Sequence, residues 1–161
     1  MIGLVFGNRE RPDIRDAICD FVLERISVHG GSFGPCGGLG IVDDEKLIAG
    51  ILFHNWVPDN RTIEISAAAD SPKWLSRSII NTIMQICFEQ HGCQMVVSRM
   101  SKNNVRAAQI YRFLKFSEIE MPRLYGRDES GLIMSLTDDA WNMHPLNNRN
   151  NHGQSTSTTR P

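Results

Sequence analysis

A strand runs directly into a helix between residues 61 and 87, and this junction constrains the fold more than any other feature of the chain. From Arg61 to Ala69, apolar Ile63 and Ile65 alternate with Glu64 and Ser66, the period of a strand. Asp70-Ser71-Pro72 interrupts the pattern. Apolar residues return as Leu75, Ile79, Ile80, Ile83, Ile86 and Cys87, a broad stripe at helical spacing that Gly92 stops. A strand followed at once by an amphipathic helix predicts an α/β layer, with the stripe packed on a sheet.

The rest of the chain continues the alternation. Ile2 to Phe6 reads as a strand. Pro12 opens a helix carrying Ile14, Ile18, Phe21, Val22 and Ile26. Residues 30 to 40 hold six of the 13 glycines and read as a surface loop. Leu39 to Val42 and Leu47 to Phe53 flank the polar turn Asp43-Asp44-Glu45-Lys46, which predicts a hairpin. Met95 to Val97 is a short strand, Val105 to Leu114 a helix started by Asn103-Asn104, and Phe116 to Met121 and Leu132 to Leu136 two further strands. The order is β-α-β-β-β-α-β-α-β-β. Residues 1–145 are expected to form the domain, and 146–161 a disordered polar tail.

With 161 residues, 41% of them hydrophobic and 22% charged, the chain suits one domain with a core. A formal net charge of -1 gives no overall positive field for nucleic acid or membrane. No apolar run approaches the ~18 residues of a membrane helix. The opening Met1 to Phe6 is short and has no basic residues ahead of it, so it does not read as a signal peptide. The four cysteines form no CxxC pair, and no spaced histidine pair accompanies them, so no metal site is expected. Cys87 reads as a buried thiol, and the compartment as a reducing cytoplasm.

Two features carry chemistry. Ser71-Pro72-Lys73-Trp74-Leu75-Ser76-Arg77 opens a helix directly after a strand, and a helix N-terminus offers unpaired N–H groups to phosphate. No GxGxxG or P-loop accompanies it. Asn104-x2-Ala107-x3-Tyr111 lies along one helix, with Asn104 and Tyr111 on roughly the same face. By itself Tyr111 reads first as a core residue with its hydroxyl at the edge.

Together, the element order and these two features resemble the GNAT superfamily of N-acetyltransferases. The segments Ile63 to Ile86 and Met95 to Phe116 carry the resemblance. Pro72-x-Trp74-Leu75-Ser76-Arg77 looks like small GNAT proteins of bacteriophage genomes. The resemblance implies a single α/β domain with a central mixed, mostly antiparallel sheet flanked by helices. It also implies acetyl-CoA as co-substrate, with no metal, and direct transfer to an amine of a small molecule or protein. The family's turn, Gln/Arg-x-x-Gly-x-Gly/Ala, becomes Ser71-x-x-Trp74-x-Ser76, with Lys73 or Arg77 to supply charge. Ser66, Ala67 and Ala68 map to the strand that holds the pantetheine arm, and Leu75 falls within the pyrophosphate turn. Asn104 would bond the pantetheine or the strand backbone, small Ala107 would let the arm pass close to the helix, Tyr111 would protonate the departing thiolate or hydrogen-bond its sulfur, and Glu64 or Asp70 would act as general base.

Residues 99 to 127 carry seven basic side chains against Glu118 and Glu120, a local surface suited to CoA phosphates. Loops 30–38 and 122–130 are expected to set the acceptor. Two other readings stay open. One is a catalytically inactive GNAT-fold module, structural or interacting with a protein partner, as in a phage particle. The other is a nucleic-acid-binding domain using the 99–127 surface, against which the -1 charge and the lack of interleaved aromatics argue.

Overall fold

The computed structural model describes residues 1–26 and 31–151. Seven strands form one sheet: β1 (Ile2–Gly7), β2 (Cys36–Asp43), β3 (Lys46–Val57), β4 (Thr62–Ala69), β5 (Met95–Ser101), β6 (Ser117–Gly126) and β7 (Glu129–Thr137). Their spatial order is β1-β2-β3-β4-β5-β7-β6. Every pair is antiparallel except β4–β5. Among the described residues the α-helices are α1 (Pro12–Leu23), α2 (Arg77–Gln85), α3 (Val105–Phe113) and α4 (Asp138–Asn142). The mixed, mostly antiparallel sheet flanked by helices matches the expected architecture.

The glycine-rich stretch is not a loop beyond residue 35. Gly37, Gly38 and Gly40 lie inside β2. A Cβ at Gly38 would stand 3.2 Å from the Ile18 side chain, and one at Gly50 of β3 3.0 Å from Val22. These glycines are the bed on which α1 rests, burying Ile18, Phe21 and Val22. Residue 30 of the expected loop lies outside the described residues. The expected loop at 122–130 is likewise the end of β6, a short turn and the start of β7.

On the other face, Leu39, Ile41, Ile51, Phe53, Ile63 and Ile65 meet Ile79, Ile80, Ile83 and Met84 of α2, with Tyr111, Leu114 and Trp141 joining the same core. Leu75 precedes α2 rather than belonging to it, and residues 86–90 continue the helix as a wider π turn.

The chain does not become a tail at 146. Asn81 of α2 donates to the Leu146 carbonyl at 2.7 Å and accepts from the Asn148 N–H at 3.0 Å. Asn147 is 4% exposed and donates to the Trp141 carbonyl at 3.0 Å. His144 is also buried, accepting from the Leu146 N–H at Nδ1, so its Nε2 proton points to the Leu114 carbonyl at 3.1 Å. Short polar residues here find backbone partners, which their composition does not reveal. The remaining expected tail, 152–161, lies outside the described residues.

Candidate active site

β4 and β5 pair only over Thr62–Met95, Ile63–Val96 and Glu64–Val97. Beyond Glu64 they part, while β4 stays paired to β3 as far as Ala69 opposite Ala49. The β5-facing edge of residues 65–69 therefore presents backbone groups outside the ladder, a template for an extended ligand. A cleft of about 200 Å³ opens there, lined by Ile65, Ala67, Ala68 and Ala69 of β4, Trp74, Ile83 and Met84, and Asn104, Ala107 and Tyr111 of α3. The small residues at 66–69 keep this strand edge thin.

α3 brings its motif to this cleft. Asn104 caps the helix, its Oδ1 accepting from the Ala107 N–H at 3.2 Å. Tyr111, two turns on, is buried edge-on to Phe116, with ring centroids 4.9 Å apart. Burial pushes its phenol up to about 12, against the smaller opposing effect of the Ser98 hydroxyl. It is a core residue that also lines the cleft.

The turn before α2 departs from the expected phosphate loop. Ser71 caps one turn of 3-10 helix at Pro72–Trp74, accepting from the Lys73 N–H at 3.3 Å. Trp74 is buried as a wall of the cleft, and Leu75 packs partly against the core. Ser76 caps α2 through the Ile79 N–H at 3.3 Å. This leaves the amides of Arg77 and Ser78, which precede the helical ladder. The expected charges point elsewhere. Lys73 pairs with Asp43. Arg77 donates to the carbonyls of Leu146 and Pro145 at 3.1 and 2.8 Å and to Asn148 Oδ1 at 3.2 Å.

Both expected general bases are held by arginines. Asp70 accepts from Arg25 Nε and Nη2, each at 2.8 Å, at an exposed corner, and this contact lowers its pKa. Glu64 accepts from Arg99 at 2.8 and 3.2 Å and from Asn55 at 2.8 Å. Burial alone would raise the Glu64 pKa, but Arg99 and Asn55 outweigh it and hold the carboxyl below its ordinary value. Asn55 reaches Glu64 from an irregularity in the β3–β4 ladder, with a positive φ of 50°.

Beside this pair lies a group that the sequence did not single out. His54 is 5% exposed, its Nε2 is 2.9 Å from Ser66 Oγ, and its ring stands 4.9 Å from that of Phe33. Burial pushes its pKa down, so the imidazole is neutral near pH 7. The available signal was the phase of β3: His54 follows Gly50 and Leu52 on the face that meets α1.

Three of the seven basic side chains in the 99–127 stretch are paired with carboxylates. Arg99 meets Glu64, Lys102 meets Glu120 at 2.7 Å, and Arg112 meets Glu118 at 2.7 Å. Arg106 lines the cleft.

Solved structures share this fold. Spermidine/spermine N-acetyltransferase SpeG from Vibrio cholerae, in mutant form, superposes with a TM-score of 0.66 at 14% identity, over 86% of this chain and 96% of that one. The fold is that of the GNAT acetyltransferases. The ribosomal-protein-S5-alanine acetyltransferase of Vibrio fischeri aligns with a TM-score of 0.57 at 17% identity, over 66% of this chain and 63% of that one. A probable acetyltransferase gives 0.57 at 19% identity, over 65% and 62%. The chain thus spans less than two thirds of the length of these last two. No family model and no curated protein matches it in sequence.

Proposed function

We propose that this protein transfers an acetyl group from acetyl-CoA to an amine by direct attack within a ternary complex. One observation carries the reading: the strand edge bared where β4 leaves β5 runs, lined by alanines, into the cleft that holds Tyr111. Acetyl-CoA supplies the thioester, and its narrow arm suits a channel walled by Ser66, Ala67, Ala68 and Ala69. The backbone of these residues would bind the arm as an added strand. The amides of Arg77 and Ser78, at the positive end of the α2 dipole, would hold a phosphate, with Arg106 adding charge from α3.

Tyr111 stays protonated across the working pH range and donates to the departing sulfur. The amine's proton passes to His54, directly or through the Ser66 hydroxyl. Glu64 and Asp70 fit that role less well, because arginines already occupy their oxygens. Glu64 instead orients Asn55 and Arg99 beside the acceptor side of β4.

The engagement of Lys73 and Arg77 away from the turn favours a second reading, a GNAT-fold protein that serves as a structural or interaction module. Thermal denaturation with acetyl-CoA separates the two. Ligand at 100 times its dissociation constant should stabilise the enzyme by about 2.7 kcal/mol. Ala67→Leu, which fills the channel, should abolish that gain. Thiol release with a panel of amines, spermidine among them, then reads turnover. No stabilisation at millimolar acetyl-CoA would leave the second reading standing.

A further inference from the structure

Cys19 on α1 and Cys36 at the start of β2 place their sulfur atoms 3.4 Å apart. Both are partly exposed, whereas Cys87 and Cys93 are buried. We propose that Cys19 and Cys36 form an oxidative modification site, at which a hydroperoxide joins the two sulfurs into a disulfide that fastens α1 to β2. This inference is independent of acetyl transfer.

The fold prepares the pair. Gly38, Gly40 and Gly50 let α1 lie close on β2 and β3, and this packing fixes Cys19 over the strand that begins at Cys36. A disulfide bond is about 2.05 Å long, so the sulfurs must approach by about 1.4 Å, within reach of side-chain rotation. Two charged groups face the pair. The Arg15 guanidinium favours a thiolate, and Asp16, bonded to Arg15 at 2.9 Å, opposes it. Desolvation and the neighbouring sulfur push the Cys19 thiol up to about 12.

The thiolate of one of the two cysteines attacks one peroxide oxygen, the O–O bond breaks, and hydroxide leaves to take up a proton as water. The product is a sulfenic acid. The other sulfur, 3.4 Å away, then attacks the oxidised one, the S–O bond breaks, and a second water leaves with the proton of the attacking thiol. Two thiols are oxidised by two electrons in all, and the hydroperoxide is reduced, to two waters in the case of hydrogen peroxide.

The test uses the folded full-length chain and stoichiometric hydrogen peroxide. Intact mass should fall by about 2 Da, and a non-reducing digest should contain one peptide linking Cys19 to Cys36. The melting midpoint should rise by roughly 5–10 °C, because the link closes a segment of ordinary disulfide-loop length, and dithiothreitol should reverse it. Cys19→Ser and Cys36→Ser, checked for fold by circular dichroism, should each prevent the link. A Cys87–Cys93 link, an intermolecular dimer, thiols oxidised singly to sulfinic acid, or thiols left unchanged would each overturn the proposal.

Discussion

Arg99 on β5 donates to both carboxylate oxygens of Glu64 on β4, from Nε at 2.8 Å and Nη2 at 3.2 Å, just where the two strands stop pairing. The pair clamps the edge of the opening. Its folded-state carboxyl lies below the ordinary value of 4.5, so the unfolded chain binds the proton more readily. The stabilisation is therefore fully present above about pH 5 and is lost as pH falls through the folded value. Glu64→Gln should lower the melting midpoint at pH 7, and the gap from the parent should shrink below pH 4.5. A gap constant from pH 7 to pH 3 would show that the charge on Glu64 contributes nothing.

The C-terminal segment gives a second expectation. Removing 146–161 takes away the acceptors of Arg77 and Asn81 and the buried Asn147. Leaving such donors unpartnered costs about 1–3 kcal/mol each, so this truncation should lower the melting midpoint by several degrees. Removing only 152–161 should not change it, since that stretch has no apolar residue to bury. Equal effects from the two truncations would contradict this account.

These two results bear on what the sequence revealed. The junction at 61–87 and the Asn104 to Tyr111 spacing were readable because each is local: a change of period, and residues one or two turns apart. Three features were not. Gly38 and Gly40 read as a loop because glycine usually breaks structure, yet here their missing side chains make room for Ile18 of α1. The Glu64–Arg99 pair joins residues 35 apart, and β5 reads as ending at Val97 because Ser98 and Arg99 break its apolar run. Asn147 looked like tail because its polar side chain is buried against a single backbone carbonyl, that of Trp141, which composition does not reveal.

The glycines themselves can be tested. A Cβ at Gly7 would lie 2.3 Å from the backbone nitrogen of Arg15, whereas at Gly40 the nearest atom is the Val5 methyl carbon Cγ2 at 2.7 Å. Side-chain methyls can turn aside, but helix backbone cannot. Gly40→Ala should cost about 1–3 kcal/mol, the usual range for overpacking. Gly7→Ala should cost more and shift α1. Chemical denaturation of both variants measures the order, and a milder Gly7→Ala would mean that α1 sits farther from β1.

At the start of α2, charge and capping can be separated. Asp is as good an N-cap as Ser, so Ser76→Asp should keep the cap to Ile79 and leave stability unchanged or slightly higher. It also sets a negative charge beside the Arg77 and Ser78 amides. If these hold the diphosphate, affinity for CoA should fall at least tenfold, while acetyl-pantetheine, which lacks it, binds as before. Calorimetry on both ligands decides, and unchanged CoA affinity would place the phosphates elsewhere.

Tyr111 separates an acetyltransferase from a bare scaffold. Tyr111→Phe keeps the ring that meets Phe116 edge-on and removes only the hydroxyl near Ser98. Lost general-acid assistance should lower kcat by about 10²–10⁴-fold, with CoA affinity nearly intact because the phosphate and backbone contacts lie elsewhere. Stability should drop by only about 1 kcal/mol from one lost hydrogen bond. With a phenol pKa near 12, the parent's rate should show no tyrosine titration below about pH 10. Thiol release and melting temperature measured on the same two proteins distinguish the cases. A variant that loses stability but retains its turnover would make Tyr111 a core residue only, and the proton for the departing sulfur would then come from water in the cleft.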